Sequence, residues 1–148
     1  FYSTHDEVEI EMDAHSFSVI EYVRLGFHHA YKYYPLERVS FLFDNKGSYQ
    51  IDSAFLFEPP KYEKKLLHHI YNANNALGEK LLKNLSLTKN DKEDVGNLAP
   101  TYMLCYLNGF EEALDKLNGL SSVIKQHSKD AYQGLKDTQR ILRKIKYH

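Results

Sequence analysis

Hydrophobic and polar positions alternate without a break near the start of the chain, with Val8, Ile10 and Met12 set against Glu7, Glu9, Glu11 and Asp13. A two-residue period sends alternate side chains to opposite faces, so residues 7–13 are predicted as a half-buried strand with an acidic wet side. From Phe17 the apolar positions fit a helical period through Ile20, Val23, Phe27, Ala30, Tyr31 and Tyr34. Ser18 and Glu21 have capping-box spacing and mark the start of that helix. Pro35 ends it, because proline lacks a donor and pushes the preceding residue out of helical space.

Two β-rich, aromatic runs follow, Arg38–Phe43 and Ser48–Phe57, joined by Asp44-Asn-Lys-Gly47. Such a turn between such runs predicts a hairpin. Val39, Phe41 and Phe43 are expected on one face, as are Tyr49, Ile51, Phe55 and Phe57 on the second strand, with Gln50 and Asp52 on its reverse. Pro60 is placed to open a helix running towards Leu85, with Tyr62, Leu66, Ile70, Ala73, Leu77 and Leu81 along one side. Residues 86–98 are polar without a period and read as a loop. A helix is expected from Thr101 to Leu117, ended by Asn118-Gly119. Ser121 or Ser122 caps the last helix, whose inner stripe is Ile124, Ala131, Leu135, Leu142 and Ile145. The predicted order β-α-β-β-α-α-α is an α+β fold in one domain over residues 1–148. It has a small sheet of about three strands packed on a layer of about four helices.

Composition narrows the class. The 148 residues are enough for a core without staples, and 43% hydrophobic with 26% charged residues is globular rather than disordered. Cys105 is the single cysteine, which excludes an intrachain disulfide and a thiolate zinc cluster. Its apolar neighbours Tyr102–Leu107 predict a buried, inert thiol. No apolar run is long enough for a membrane span, so no membrane partner is expected. The expected location is cytoplasmic; the chain does not begin with Met, which leaves a removed signal peptide as the alternative. Residues 1–60 hold ten acids against four bases, and residues 61–148 fifteen bases against ten acids. A split of this kind suits self-association, internal docking or a basic face for a polyanion.

Candidate chemistry is sparse. Carboxylates at alternate strand positions point the same way but sit about 6.6 Å apart, so one strand cannot surround an ion. A metal reading needs Glu9 and Glu11 joined by Asp52 of the hairpin, or by Asp44, and the solvated face of a strand accounts for the row more simply. The pairs His28-His29 and His68-His69 have neither His nor Cys four residues away, so they are not helical zinc chelates. No nucleophile elbow, phosphate loop or zincin motif is present, and no cofactor is expected. The last helix is basic instead, with Lys125, Lys129, Lys136, Arg140, Arg143, Lys144 and Lys146 against Asp130 and Asp137. Some bias towards the C-terminus complements the helix dipole, yet the excess is also enough to contact a phosphate backbone.

The chain ends Arg143-Lys-Ile-Lys-Tyr-His148, whose Arg-x4-His spacing resembles the motif of HEPN-domain ribonucleases, all-helical proteins that dimerise to bring two such motifs together. The resemblance covers six residues, and the hairpin has no place in a simple HEPN fold. It implies that Arg143 stabilises phosphate while His148 serves acid–base cleavage of RNA.

The leading expectation is a small, non-enzymatic interaction or regulatory protein that binds another macromolecule, or itself, through aromatic and charged surfaces, with a protein or a second copy as the expected partner. Tyr31, Tyr33, Tyr34, Lys136, Arg140, Arg143 and Lys144 are its candidate binding residues. The alternative is a nucleic-acid-binding protein or HEPN-like ribonuclease acting through the basic helix. A metal-dependent hydrolase built on Glu9, Glu11 and Asp52 ranks last.

Overall fold

The computed structural model describes residues 8–25 and 32–146 and is α+β. The described residues form four strands, β1 (Val8–Met12), β2 (Ser16–Leu25), β3 (Lys32–Phe43) and β4 (Tyr49–Leu56). Six helices follow: α1 (Lys64–Leu82), α2 (Lys89–Val95), α3 (Leu98–Leu107), α4 (Glu112–Gly119), α5 (Ser121–His127) and α6 (Lys129–Lys146). The chain divides into two compact units, one formed by the sheet residues up to Arg24 and from Tyr33 to Pro59, the other containing the helices from Pro60 on.

The sheet is an antiparallel meander in the order β1-β2-β3-β4, with four strands rather than the three expected. The difference lies at residues 16–43. Instead of the helix predicted from Phe17 to Tyr34, these residues supply β2 and β3, while Phe27, Ala30 and Tyr31 lie outside the described residues. A strand with apolar residues on both faces (Phe17 and Val19 on one, Ile20 and Tyr22 on the other) imitates a 3.6-residue period. Its β-branched and aromatic content decides for the strand. Ser18 therefore caps nothing. It is buried, and its hydroxyl lies 2.8 Å from that of Ser40 on β3.

Two aspartates shape the connections. Asp13 accepts from the backbone N–H groups of His15 and Ser16 at 2.7 and 2.8 Å, turning β1 into β2. Asp44 accepts from those of Lys46 and Ser48, both at 2.8 Å, and Gly47 takes the φ of +81° that the expected hairpin turn needs.

The hairpin register carries one irregularity. Phe41 pairs with Ile51 and Ser40 with Ser53, so Asp52 is the extra residue of a β-bulge. The phase of β4 shifts there. Tyr49 and Ile51 share the face of Phe41, whereas Phe55, opposite Arg38, emerges on the reverse. The predicted common face for Tyr49, Ile51 and Phe55 is thus split by one residue.

The helical unit is built around α3, which packs against α1, α4 and α6. Seven of its ten residues are buried. Apolar character on all sides forces a helix into a core. Its polar atoms are served by two adjacent residues of α1: Asn74 donates to the Thr101 hydroxyl at 2.7 Å, and the Tyr102 hydroxyl donates to Asn75 at 2.8 Å.

Several predicted boundaries move. Asn108 caps α3 and Gly109 follows at φ +98°, which separates α3 from α4 where one helix was expected. The Asn108 amide also ties down the approach to α1, donating to the Pro60 carbonyl at 3.0 Å, so α1 starts at Lys64 and not at Pro60. The predicted loop at 86–98 contains α2, opened by a capping box between Thr88 and Asp91. Ser128 breaks the last predicted helix into α5 and α6; its extended backbone interrupts the ladder and its hydroxyl accepts from the Ala131 N–H. Most of the inner stripe survives the break: Ile124, Ala131, Leu135 and Leu142 are buried, Ile145 is only half-buried, and Ile141 joins the core.

Chemical or thermal unfolding checks this core. Leu104, fully buried in α3, is expected to cost about 2–5 kcal/mol as Leu104→Ala. Tyr71 stacks edge-on with Tyr102, and its hydroxyl is buried without a hydrogen-bond partner. Tyr71→Phe should leave stability unchanged or raise it by up to about 1 kcal/mol, since no bond is lost.

Candidate interaction surface

Register decides which side chains share each face of the sheet. Met12 lies opposite Phe17, Ile10 opposite Val19, Phe43 opposite Tyr49 and Phe41 opposite Ile51. Since paired residues point the same way, Val8, Ile10, Met12, Phe17, Val19, Val39, Phe41, Phe43, Tyr49 and Ile51 form one continuous apolar face. Its centre is a cluster of rings. Phe17 stacks on Phe41 at 4.6 Å between centroids, and Tyr49 meets both edge-on at 5.4 and 5.6 Å.

The described residues of this face keep much of their surface accessible. Met12, Ile51, Ile10, Tyr49 and Val8 keep between 58% and 72% of their surface accessible, and Phe43 keeps 42%. Single exposed apolar residues are ordinary, but a contiguous patch spread over four strands is the kind of surface on which docking occurs. The apolar row of β1 was expected to face a core. Its alternation was legible in the sequence, whereas its exposure depends on what covers the sheet, which alternation does not encode.

The reverse face holds the acidic row. Glu9 accepts from the Tyr22 hydroxyl at 2.7 Å, and Glu11 pairs with Arg38 at 2.7 Å across β2. Both partners of that ion pair are half exposed, so it adds little stability. Glu9 and Glu11 belong to one edge strand and Asp52 to the other, roughly 14 Å away across three strand spacings. The sheet order therefore keeps the suggested metal ligands apart. Among the described residues no group of three His, Cys, Asp or Glu side chains is placed to hold a metal ion.

The basic residues are brought together on α6. At 3.6 residues per turn, Lys129, Lys136, Arg140 and Arg143 fall within about 60° of arc, along about 21 Å of helix. Tyr132 stands beside them, with the ammonium groups of Lys136 and Lys125 at 4.8 and 5.3 Å from its ring centroid. Tyr33 is exposed on β3, and Tyr34 next to it points to the opposite face, so the two do not form one patch. Lys144 lies in α6. Tyr31, His28, His29 and His148 lie outside the described residues, so the Arg143–His148 pair has no described geometry. His69 is exposed, and His68 lies edge-on to Phe110 at 4.9 Å.

A cleft of about 260 Å³ opens between α1, α2 and α3, lined by Asn74, Lys80, Asp91, Asn97 and Thr101 among others. Its polar groups satisfy one another. Lys80 pairs with Asp91 at 2.9 Å, and Thr101 accepts from Asn74 while donating to the Asn97 carbonyl at 2.6 Å. Such a set holds three helices together and leaves few groups turned towards a ligand. Cys105 is buried, and burial pushes its thiol up to about 11. That is the inert thiol expected, and thiol reagents should label it only as fast as the native chain unfolds.

Asp91 titrates below its ordinary value of 3.8, chiefly through the Lys80 hydrogen bond and then the Thr88 N–H. Asp13 is lowered by the N–H of His15 and by Ser16. A depressed carboxylate stabilises the folded state above its unfolded pKa, and that contribution is lost as pH falls through the folded value. The unfolding midpoint should therefore drop as pH is taken from 5 to below 3.8. Asp91→Asn should flatten that fall. Thr88→Ala, which removes the cap of α2, should cost about 1 kcal/mol at neutral pH.

Among the described residues no helix is long and apolar enough to cross a membrane. Neither a curated protein nor a solved structure matches the chain. A family model does match, over residues 1–148, and carries the description "Domain of unknown function (DUF5929)". With its whole length matched, the chain belongs to the DUF5929 family.

Proposed function

We propose that this protein is a non-enzymatic interaction protein that binds a protein surface through the apolar face of its sheet. The observation that carries this reading is the uncovered row Val8, Ile10, Met12, Phe43, Tyr49 and Ile51 around the Phe17–Phe41–Tyr49 ring cluster. Aromatic and aliphatic side chains held rigid by a sheet lose little freedom on binding, which favours them as anchors. This reading places the aromatic anchors on the sheet face, whose side Tyr33 shares by alternation along β3, while Tyr31 lies outside the described residues.

Substitution by charge tests it. Ile10 and Ile51 stand on different strands of the face, and both are mostly exposed. The double variant Ile10→Lys/Ile51→Lys should fold cooperatively with native circular dichroism and should stop binding a hydrophobic dye that the native chain takes up. A variant that loses cooperative unfolding would assign the face to a core and end the reading.

A second reading rests on a separate observation, the alignment of Lys129, Lys136, Arg140 and Arg143 beside Tyr132 on α6. Cations spaced along a helix with an aromatic ring among them suit a phosphate backbone and a stacked base. Fluorescence anisotropy with labelled single-stranded RNA at low ionic strength should then show binding that weakens steeply with salt. Lys136→Glu/Arg143→Glu should weaken it at least tenfold. No binding at low salt would remove this reading, and any nuclease role for Arg143 with it.

A further inference from the structure

We infer that the occupant of the apolar sheet face is the same face of a second copy of this chain, the two sheets packing into a sandwich. This rests on the reading of the face as an interaction surface, and four features of the sheet select the partner.

The first is size. The six most exposed apolar residues of the face offer roughly 700 Å² per copy, close to the ~800 Å² that each partner contributes to a standard interface.

The second is shape. The complement of a pleated, antiparallel apolar face is another such face, the two lying about 10 Å apart with side chains interdigitated. A two-fold axis in the plane between the sheets would set the face of one copy on that of the other, as isologous dimers do.

Charge is the third. The face carries acids only at one end, with Glu21 opposite Val8 and Glu37 opposite Leu56, the latter largely buried. Arg38, Glu9 and Glu11 all project from the reverse. Two copies therefore meet across the ring cluster without bringing like charges together, while a polyanion or an anionic surface finds no cation among the described residues of the face.

The edges supply the fourth. Pairing through β1 would bring the carboxylates of two copies side by side along Glu9 and Glu11, and the bulge at Asp52 interrupts β4. Both edges thus oppose strand addition, which leaves the face as the surface that can pair.

Mass in solution tests the proposal. Sedimentation equilibrium from micromolar to several hundred micromolar should show a reversible species of twice the 17.3 kDa chain. Ile51→Lys should return it to a folded monomer. Met12→Lys, on the opposite edge of the sheet, repeats the test should the first variant fail to fold.

Ile51→Cys supplies the second readout, since Cys105 is buried and the new thiol is the accessible one. Its maleimide labelling should slow at least tenfold as the chain is concentrated and dimer forms. A monomer at every concentration, with a thiol that labels at the free rate, overturns self-pairing and leaves the face to a different protein. A monomer with a protected thiol means the face is covered within the chain, which overturns the proposal and the interaction reading together. A dimer that survives both lysine variants associates elsewhere and also overturns the proposal.

Discussion

The helical unit depends on one constraint: α3 has no side that tolerates water. Leu98, Ala99, Tyr102, Met103, Leu104 and Cys105 leave neither a polar stripe nor room for one, so the remaining helices must enclose it. Much else in the unit follows. The adjacent amides of Asn74 and Asn75 exist on α1 because Thr101 and Tyr102 are buried side by side and need partners. Gly78 of α1 is where Leu120 comes closest; a Cβ there would stand 3.0 Å from a Leu120 methyl group. Asn108 caps the buried helix and at the same time anchors the segment that leads into α1.

The sheet resolves the same problem differently. Along β1 its apolar residues fall on alternate positions, and a sheet has two faces, each of which needs its own cover. Its polar groups are invested in connections and in the reverse face: Asp13 and Asp44 in the turns, Ser18 with Ser40, Glu11 with Arg38. The ring cluster of Phe17, Phe41 and Tyr49 is left as an ordered surface. That contrast, between an enclosed helix in one unit and an exposed apolar sheet face in the other, is why the functional reading favours association over catalysis.

How much of this was legible in the sequence depended on whether neighbours in the chain or distant residues decide the outcome. The hairpin around Asp44–Gly47, the α+β class and the stripe Ile124, Ala131, Leu135 and Leu142 follow from short-range periodicity and turn chemistry, and each stands in the structure. Residues 16–25 misled because a strand with apolar residues on both faces and an amphipathic helix share their spacing at Phe17, Ile20 and Val23. The helix α2 was signalled by Thr88 and Asp91 at capping-box distance, inside a stretch too polar for a periodicity argument to reach. The candidate surface was half visible: its residues alternate in plain sight, but exposure is a property of tertiary packing. The basic residues were visible individually, and helical geometry gathers four of them into one line.

The bulge at Asp52 gives β4 a different kind of importance. Because Asp52 is the unpaired residue between Ile51 and Ser53, the ring-cluster face takes Tyr49 and Ile51 before the bulge and Ala54 and Leu56 after it. Deleting Asp52 would close the bulge and make Ile51 and Ser53 alternate regularly, leaving Tyr49 and Ile51 on the ring-cluster face and Phe55 on the reverse, whereas pairing Asp52 into the ladder would turn Phe55 onto that face. Among relatives, a one-residue gap at the bulge should therefore leave the ring-cluster surface in place, which makes position 52 the point where β4 can absorb a change of length without exchanging its faces.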